Sequence, residues 1–132
     1  MNKACPVLLR QKGKYTQILA FRHPLAGIQL VKGSIEAWEN LPKACERELR
    51  EESGLKANAE TFLGVWEANF EEQIWGFYLM NPKLELPESW DHYCEDGGGH
   101  TFQFFWQNIG ATLTEEWHPL FQGAMEFLRK RC

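Results

Sequence analysis

Glu48, Glu51 and Glu52 are spaced i, i+3 and i+4. On a helix turning about 100° per residue, the three carboxylates fall inside an arc of roughly 100°. Like charges at that spacing repel by about 0.2–0.5 kcal/mol per pair. A chain that keeps three of them together calls for a neutralising partner, and a divalent cation held by oxygen ligands is the natural one. With Glu48 at zero on the helical wheel, Glu51 lies near roughly −60° and Glu52 near +40°. Cys45 and Leu49 lie at about 60° and 100° on the same wheel, where they would anchor the helix to a core. The carboxylates therefore sit beside the buried face, where a bare charge is costly to desolvate. No His or Cys suited to zinc completes the set, so magnesium or manganese fits better. The helix by itself reads more readily as a solvated Glu-rich surface with cross-turn pairs to Lys43, Arg47 and Arg50, because such helices are common.

The flanks favour the first reading. Gly33 ends a short apolar run, and a glycine there lets backbone approach a ligand or a helix closely. Glu39 precedes Arg47 by eight residues, and an ion pair between them would brace the loop against the helix. Gly54 stops the helix directly after the acidic pair. Together Gly33, Glu39, Arg47, Glu48, Leu49, Glu51, Glu52, Gly54 and Leu55 resemble the Nudix box, G-x5-E-x7-R-E-U-x-E-E-x-G-U, where U is a bulky aliphatic residue. The match has no gap and no substitution. On this resemblance the chain is identified as a Nudix hydrolase, a single domain over residues 1–132.

The resemblance implies an α/β (α+β) fold, an α/β/α sandwich with a mixed β-sheet between helices. It implies hydrolysis of a diphosphate linkage in a nucleoside diphosphate derivative, by attack of water on phosphorus. Glu48, Glu51 and Glu52 would be catalytic and would bind Mg2+, with Mn2+ as a substitute. The backbone carbonyl at Lys32, with Gly33, would add a metal donor. Arg47 would orient Glu48 and Glu39, and Glu39 and Gly54 would be structural. The implied partner is a small-molecule nucleotide: a nucleoside triphosphate, ADP-ribose, a dinucleoside polyphosphate or a nucleotide sugar. Many relatives dimerise, so a homodimer is compatible. The alternative is a non-catalytic Nudix-like module that binds a nucleotide or a protein.

Outside the box, Glu95 and Asp96 in CEDGGGH are the first candidates for a further acid, with Glu67, Glu71 and Glu72 as rivals. Arg22, Lys32, Trp38 and His100 are further candidates for substrate binding, and Arg10 is a weaker one. His23, His92 and His118 have no partner visible in sequence. Gly97, Gly98 and Gly99 lack the Lys-Ser/Thr ending of a P-loop and read as a mobile loop. Phe102, Phe104 and Trp106 alternate with Gln103, Phe105 and Gln107, which reads as one aromatic face packed on the core.

The elements that must position these residues follow from pattern and punctuation. Val7 to Arg10 and Tyr15 to Arg22 read as strands around a turn at Lys12-Gly13-Lys14. Ile28 to Val31 is a short strand. Leu41 to Ser53 is helical, with Asn40 as N-cap, Pro42 in the first turn and Gly54 as C-cap. Ala59 to Phe70 and Gln73 to Met80 form a hairpin through Glu71-Glu72. Asn81 to Gly99 reads as a long loop, Thr101 to Gln107 as a strand, and the stretch from about His118 or Pro119 to Arg131 as a helix buried through Phe121, Ala124, Met125 and Leu128.

The 132 residues are 44% hydrophobic and 24% charged, with a net charge of −4. That balance suits one globular domain and argues against a nucleic-acid polymer or an anionic membrane as partner. Cys5, Cys45, Cys94 and Cys132 are scattered without a CxxC pair, so free thiols in a cytoplasmic protein are expected.

Overall fold

Alternation along one strand sets the architecture. In β3 (Tyr15–His23), Ile18 and Ala20 join one buried cluster, and Leu19 and Phe21 join another. A strand buried on both faces must lie between two covering layers. The computed structural model describes residues 1–96 and 98–132, so Gly97 of the triple glycine lies outside the described residues. Two helices supply the layers. α1 (Leu41–Ser53) packs Leu41, Ala44, Cys45 and Leu49 onto the cluster holding Leu19 and Phe21. α2 (Pro119–Arg129) packs Phe121, Ala124, Met125 and Leu128 onto the cluster holding Ile18 and Ala20. The result is the α/β/α sandwich of mixed α+β class.

The strands divide between two sheets. In chain order they are β1 (Lys3–Val7), β2 (Leu9–Lys12), β3, β4 (Gly27–Gln29), β5 (Gly33–Ser34), then α1, β6 (Ala57–Glu67), β7 (Ile74–Pro82), β8 (Trp90–Cys94) and β9 (His100–Asn108), before α2. One sheet runs β5-β1-β7-β6, with β1 and β7 parallel and the other pairs antiparallel. The other runs β2-β3-β9-β8 and is antiparallel, with β4 also on β3. The chain passes from the first sheet to the second at Leu8, whose carbonyl accepts from the Leu19 amide at 2.9 Å. The strand expected at Val7 to Arg10 is thus the junction of two. Pro6 in β1 pairs with Tyr78 of β7 on one side, while on the other β5 pairs only with Lys3 and Ala4.

β8 replaces the middle of the loop expected from Asn81 to Gly99. Its residues carry no strong alternation, and cross-strand packing supplies what the sequence lacks: Trp90 stacks on Phe104 with centroids 5.1 Å apart and rings 9° from parallel. The β6–β7 turn is also longer than the expected two residues, and it runs through Asn69, Glu71 and Glu72, all at positive φ. All four cysteines are free, and burial pushes the Cys45 thiol up to about 12. No described helix is long and apolar enough to cross a membrane.

Candidate active site

The site grows from the ends of α1. At its start, the Asn40 side chain accepts from the Lys43 amide at 3.1 Å, satisfying one of the helix's free donors. At its end, Gly54 adopts φ 80° and its N–H reaches the Arg50 carbonyl at 2.9 Å. A Cβ at Gly54 would also lie 2.9 Å from the His92 ring, so both conformation and space exclude a side chain. Strand β8 closes this end. Trp90 Nε1 donates to the Ser53 carbonyl at 2.9 Å, and His92 Nε2 lies 3.1 Å from the Glu51 carbonyl. These carbonyls have no partner within the helix. Sequence left His92 without a partner because its partner is backbone.

Arg47 binds the loop to the helix through its whole guanidinium. Nε donates to both Glu39 oxygens at 3.2 and 3.0 Å, and Nη2 to Glu39 Oε1 at 2.5 Å. Nη2 also donates to the Ser34 carbonyl at 2.8 Å, and Nη1 to Glu48 at 2.8 Å and Glu51 at 3.2 Å. The Glu39 carboxylate further accepts from the Glu36 amide at 2.9 Å. The Arg47 guanidinium beside it holds the Glu39 carboxyl below its ordinary range. A planar fork can serve this many acceptors where a lysine could not.

The three glutamates divide by burial. Glu48 and Glu52 are 6% and 9% exposed, and the Glu51 side chain is 41% exposed. Burial pushes the Glu52 carboxyl well above its ordinary value, and a hydrogen bond and repulsion from Glu48 push it further. Lys32 partly offsets this. Gly33 makes room for the arrangement: a Cβ there would lie 2.0 Å from the Glu48 carboxyl carbon. The close approach read from the sequence is therefore to the helix carboxylate.

These groups line a cleft of about 650 Å³. Lys32, Gly33, Trp38, Asp96 and His100 also line it. The Lys32 ammonium lies 5.2 Å from the Trp75 ring and 3.5 Å from Gln73 Oε1. Burial among these groups lowers its pKa. Arg10, Glu67, Glu71 and Glu72 are not among its lining residues, and two further candidates also lie elsewhere. Arg22 lines a neighbouring hollow and pairs with Glu116, and Glu95 is exposed directly before Asp96. His23, Cys94 and Phe102 line the cleft without having been singled out as substrate contacts. His23 faces His100 at 4.8 Å between rings, and burial lowers its pKa. Only the pairing of β3 with β9 brings these two together, and no local pattern reports that.

Among the described residues, no three His, Cys, Asp or Glu side chains are arranged to hold a metal ion. Arg47 Nη1 occupies an oxygen of Glu48 and one of Glu51. The donor chemistry nonetheless fits a hard divalent cation. Two buried carboxylates bear on each other, a third stands beside them, and Lys32 is the cation that offsets Glu52. Anionic, oxygen-rich sites of this kind suit magnesium or manganese.

A model of the NUDIX domain matches residues 2–120 of the chain. Among curated protein sequences, none matches it. Solved structures with the same fold include an ADP-ribose pyrophosphatase from Streptococcus suis, at 15% identity and TM-score 0.63, covering 98% of this chain and 91% of that one. A MutT NUDIX hydrolase from Burkholderia pseudomallei aligns at 19% identity and TM-score 0.64, over 96% and 95%. A NUDIX hydrolase from Nitrosomonas europaea aligns at 17% identity and TM-score 0.60, over 97% and 87%.

Proposed function

The chain belongs to the NUDIX family, and on that premise we propose that it hydrolyses a diphosphate linkage in a nucleoside diphosphate derivative. The observation that carries this reading is the pair of buried carboxylates, Glu48 and Glu52, lining an open cleft. Burying two like charges in contact is costly without a counter-charge, and a metal-bound diphosphate supplies one. Glu48, Glu51 and Glu52 would hold the divalent metal, with the backbone at Lys32 and Gly33 as a further donor. When bound, the metal neutralises charge on the phosphate oxygens and acidifies a water.

The chain's own residues do the rest by positioning, which dominates phosphoryl chemistry. Arg47 fixes Glu48 and Glu51 from one side and, through Glu39, locks the preceding loop. Gly33 leaves the Glu48 carboxylate its space. Lys32 places a positive charge in the cleft beside Glu52. Trp38, Asp96 and His100 border the space left for the remainder of the substrate.

The test is a rate screen with magnesium over nucleoside triphosphates, ADP-ribose, dinucleoside polyphosphates and nucleotide sugars, reading released phosphate, pyrophosphate or nucleotide. Turnover of at least one class, abolished by EDTA, supports the proposal. No turnover of any class with magnesium or manganese would overturn it in favour of a binding module.

A further inference from the structure

The cleft is one of two adjoining hollows. The second has a volume of about 450 Å³ and shares His100 with the first. Ligand sites commonly fall between about 300 and 1,000 Å³, so the acidic cleft alone would accommodate a nucleotide. The second hollow leaves room for a further group of the same ligand.

Its lining says what that occupant is. Tyr93, Thr101 and Gln103 offer hydroxyl and amide groups, and Tyr93 is 59% exposed. Gly99, at φ +86°, keeps the Tyr93 hydroxyl at the wall, because a Cβ there would lie 2.0 Å from it. The cation in this lining is Arg22, already paired with Glu116. In the acidic cleft Arg47 is committed to Glu39, Glu48 and Glu51. Among the described residues lining both hollows, that leaves Lys32 without a carboxylate partner. A chain of three or more phosphates would bring several further negative charges with little to meet them. A neutral, hydroxyl-rich ring would be met by hydrogen bonds.

The acidic cleft also carries an aromatic platform. Trp38 lines the cleft and is 81% exposed. An indole held in water at the mouth of a polar cleft is suited to stack a planar ring.

We infer that the substrate is a two-armed diphosphate, a nucleoside diphosphate esterified to a sugar, with its base against Trp38 and its sugar in the hollow beside Tyr93 and Gln103. The inference rests on the proposed hydrolase reading for the position of the diphosphate between the arms. It excludes nucleoside triphosphates and dinucleoside polyphosphates as preferred substrates.

Two measurements test it separately from that reading. In the first, kcat/KM for ADP-ribose or a nucleotide sugar is compared with that for ATP and diadenosine tetraphosphate. The diphosphate diester should lead by about tenfold or more, a difference that one lost neutral contact set and one repelled phosphate would produce. In the second, tryptophan fluorescence reports binding of the non-hydrolysable α,β-methylene-ADP-ribose against AMP, with magnesium. The analogue should bind about tenfold more tightly than AMP. Gln103→Ala, at an exposed position, should erase most of that advantage while leaving AMP binding unchanged. A preference for ATP, or analogue binding no tighter than AMP, would overturn the inference even if the protein proves to be a hydrolase. Tight, Gln103-dependent analogue binding without turnover would uphold the inference and remove the hydrolase reading.

Discussion

The two helices cover opposite faces of the same strands, and they are built on opposite terms. α2 buries Phe121, Ala124, Met125 and Leu128, all apolar, against aromatic neighbours such as Trp75 and Phe77. α1 buries Leu41, Ala44, Cys45 and Leu49, and with them Glu48 and Glu52. One face is a packing surface alone. The other gives up part of its packing to hold charges, of which Arg47 pairs with Glu48 and Lys32 partly offsets Glu52. On the proposed function, stability and chemistry fall to different sides of one sandwich, and substitutions on the two sides should separate them.

Leu128→Ala tests the packing side and should have the largest effect. Removing a fully buried leucine costs about 2–5 kcal/mol of stability. Denaturant unfolding should show that loss while kcat per folded molecule stays near wild type. A proportional fall in kcat would mean that the faces are not separable. Glu52→Gln tests the chemical side. Turnover should fall by about 10²-fold or more, as for other losses of charge stabilisation at a reacting phosphate, with the circular dichroism spectrum unchanged. Near wild-type turnover would take Glu52 out of the site.

Gly33→Ala sharpens the contrast, because Gly33 is not at positive φ and the atoms nearest the new methyl would be those of the Glu48 carboxylate. Overpacking of that kind costs about 1–3 kcal/mol. The activity loss should exceed what that change in the folded fraction explains. If activity follows the folded fraction alone, Glu48 can move without consequence.

The smallest effect is on pH dependence. The Glu52 carboxyl sits above its ordinary 4.5 in the folded state. A raised carboxyl contributes stability below that value and loses it as pH climbs through the folded pKa. Glu39, lowered by Arg47, acts in the opposite sense below 4.5, and His23, lowered by burial, acts oppositely below 6.5. The difference between wild type and Glu52→Gln cancels both. In metal-free protein, the Tm of Glu52→Gln relative to wild type should rise as pH rises above 4.5. A difference that is flat with pH would show that Glu52 is not proton-coupled to folding.

The α1 region was legible because its signals are local. Asn40, Pro42 and Gly54 bound the helix, and helical geometry alone gathered the carboxylates. Glu39 and Arg47 lie close enough in sequence for their pairing to be expected. The second hollow was not legible. β8 depends on Trp90 meeting Phe104 and on Trp90 and His92 reaching carbonyls of α1, contacts made across tens of residues. The pair of His23 and His100, and the separation of Arg22 from the cleft, likewise follow from strand pairing that no local pattern encodes. The division of strands between two sheets turns on Leu8, which looks like any other strand leucine in sequence.

The parallel pairing of β1 with β7 also sets an order of assembly. Lys3 pairs with Trp75 and Ala4 with Gly76, while Ala4 pairs with Gly33 on its other side. β5 is therefore tied into its sheet through a strand that itself waits for residues far along the chain. Closing such long loops is slow compared with forming α1 or the β6–β7 hairpin. During synthesis the carboxylate helix emerges well before the strand that brings Gly33 against it. The cleft is accordingly among the last features of the fold to form. In refolding from denaturant, helical signal should return ahead of the capacity to bind a nucleotide. Simultaneous return of the two would show that β1 docks early.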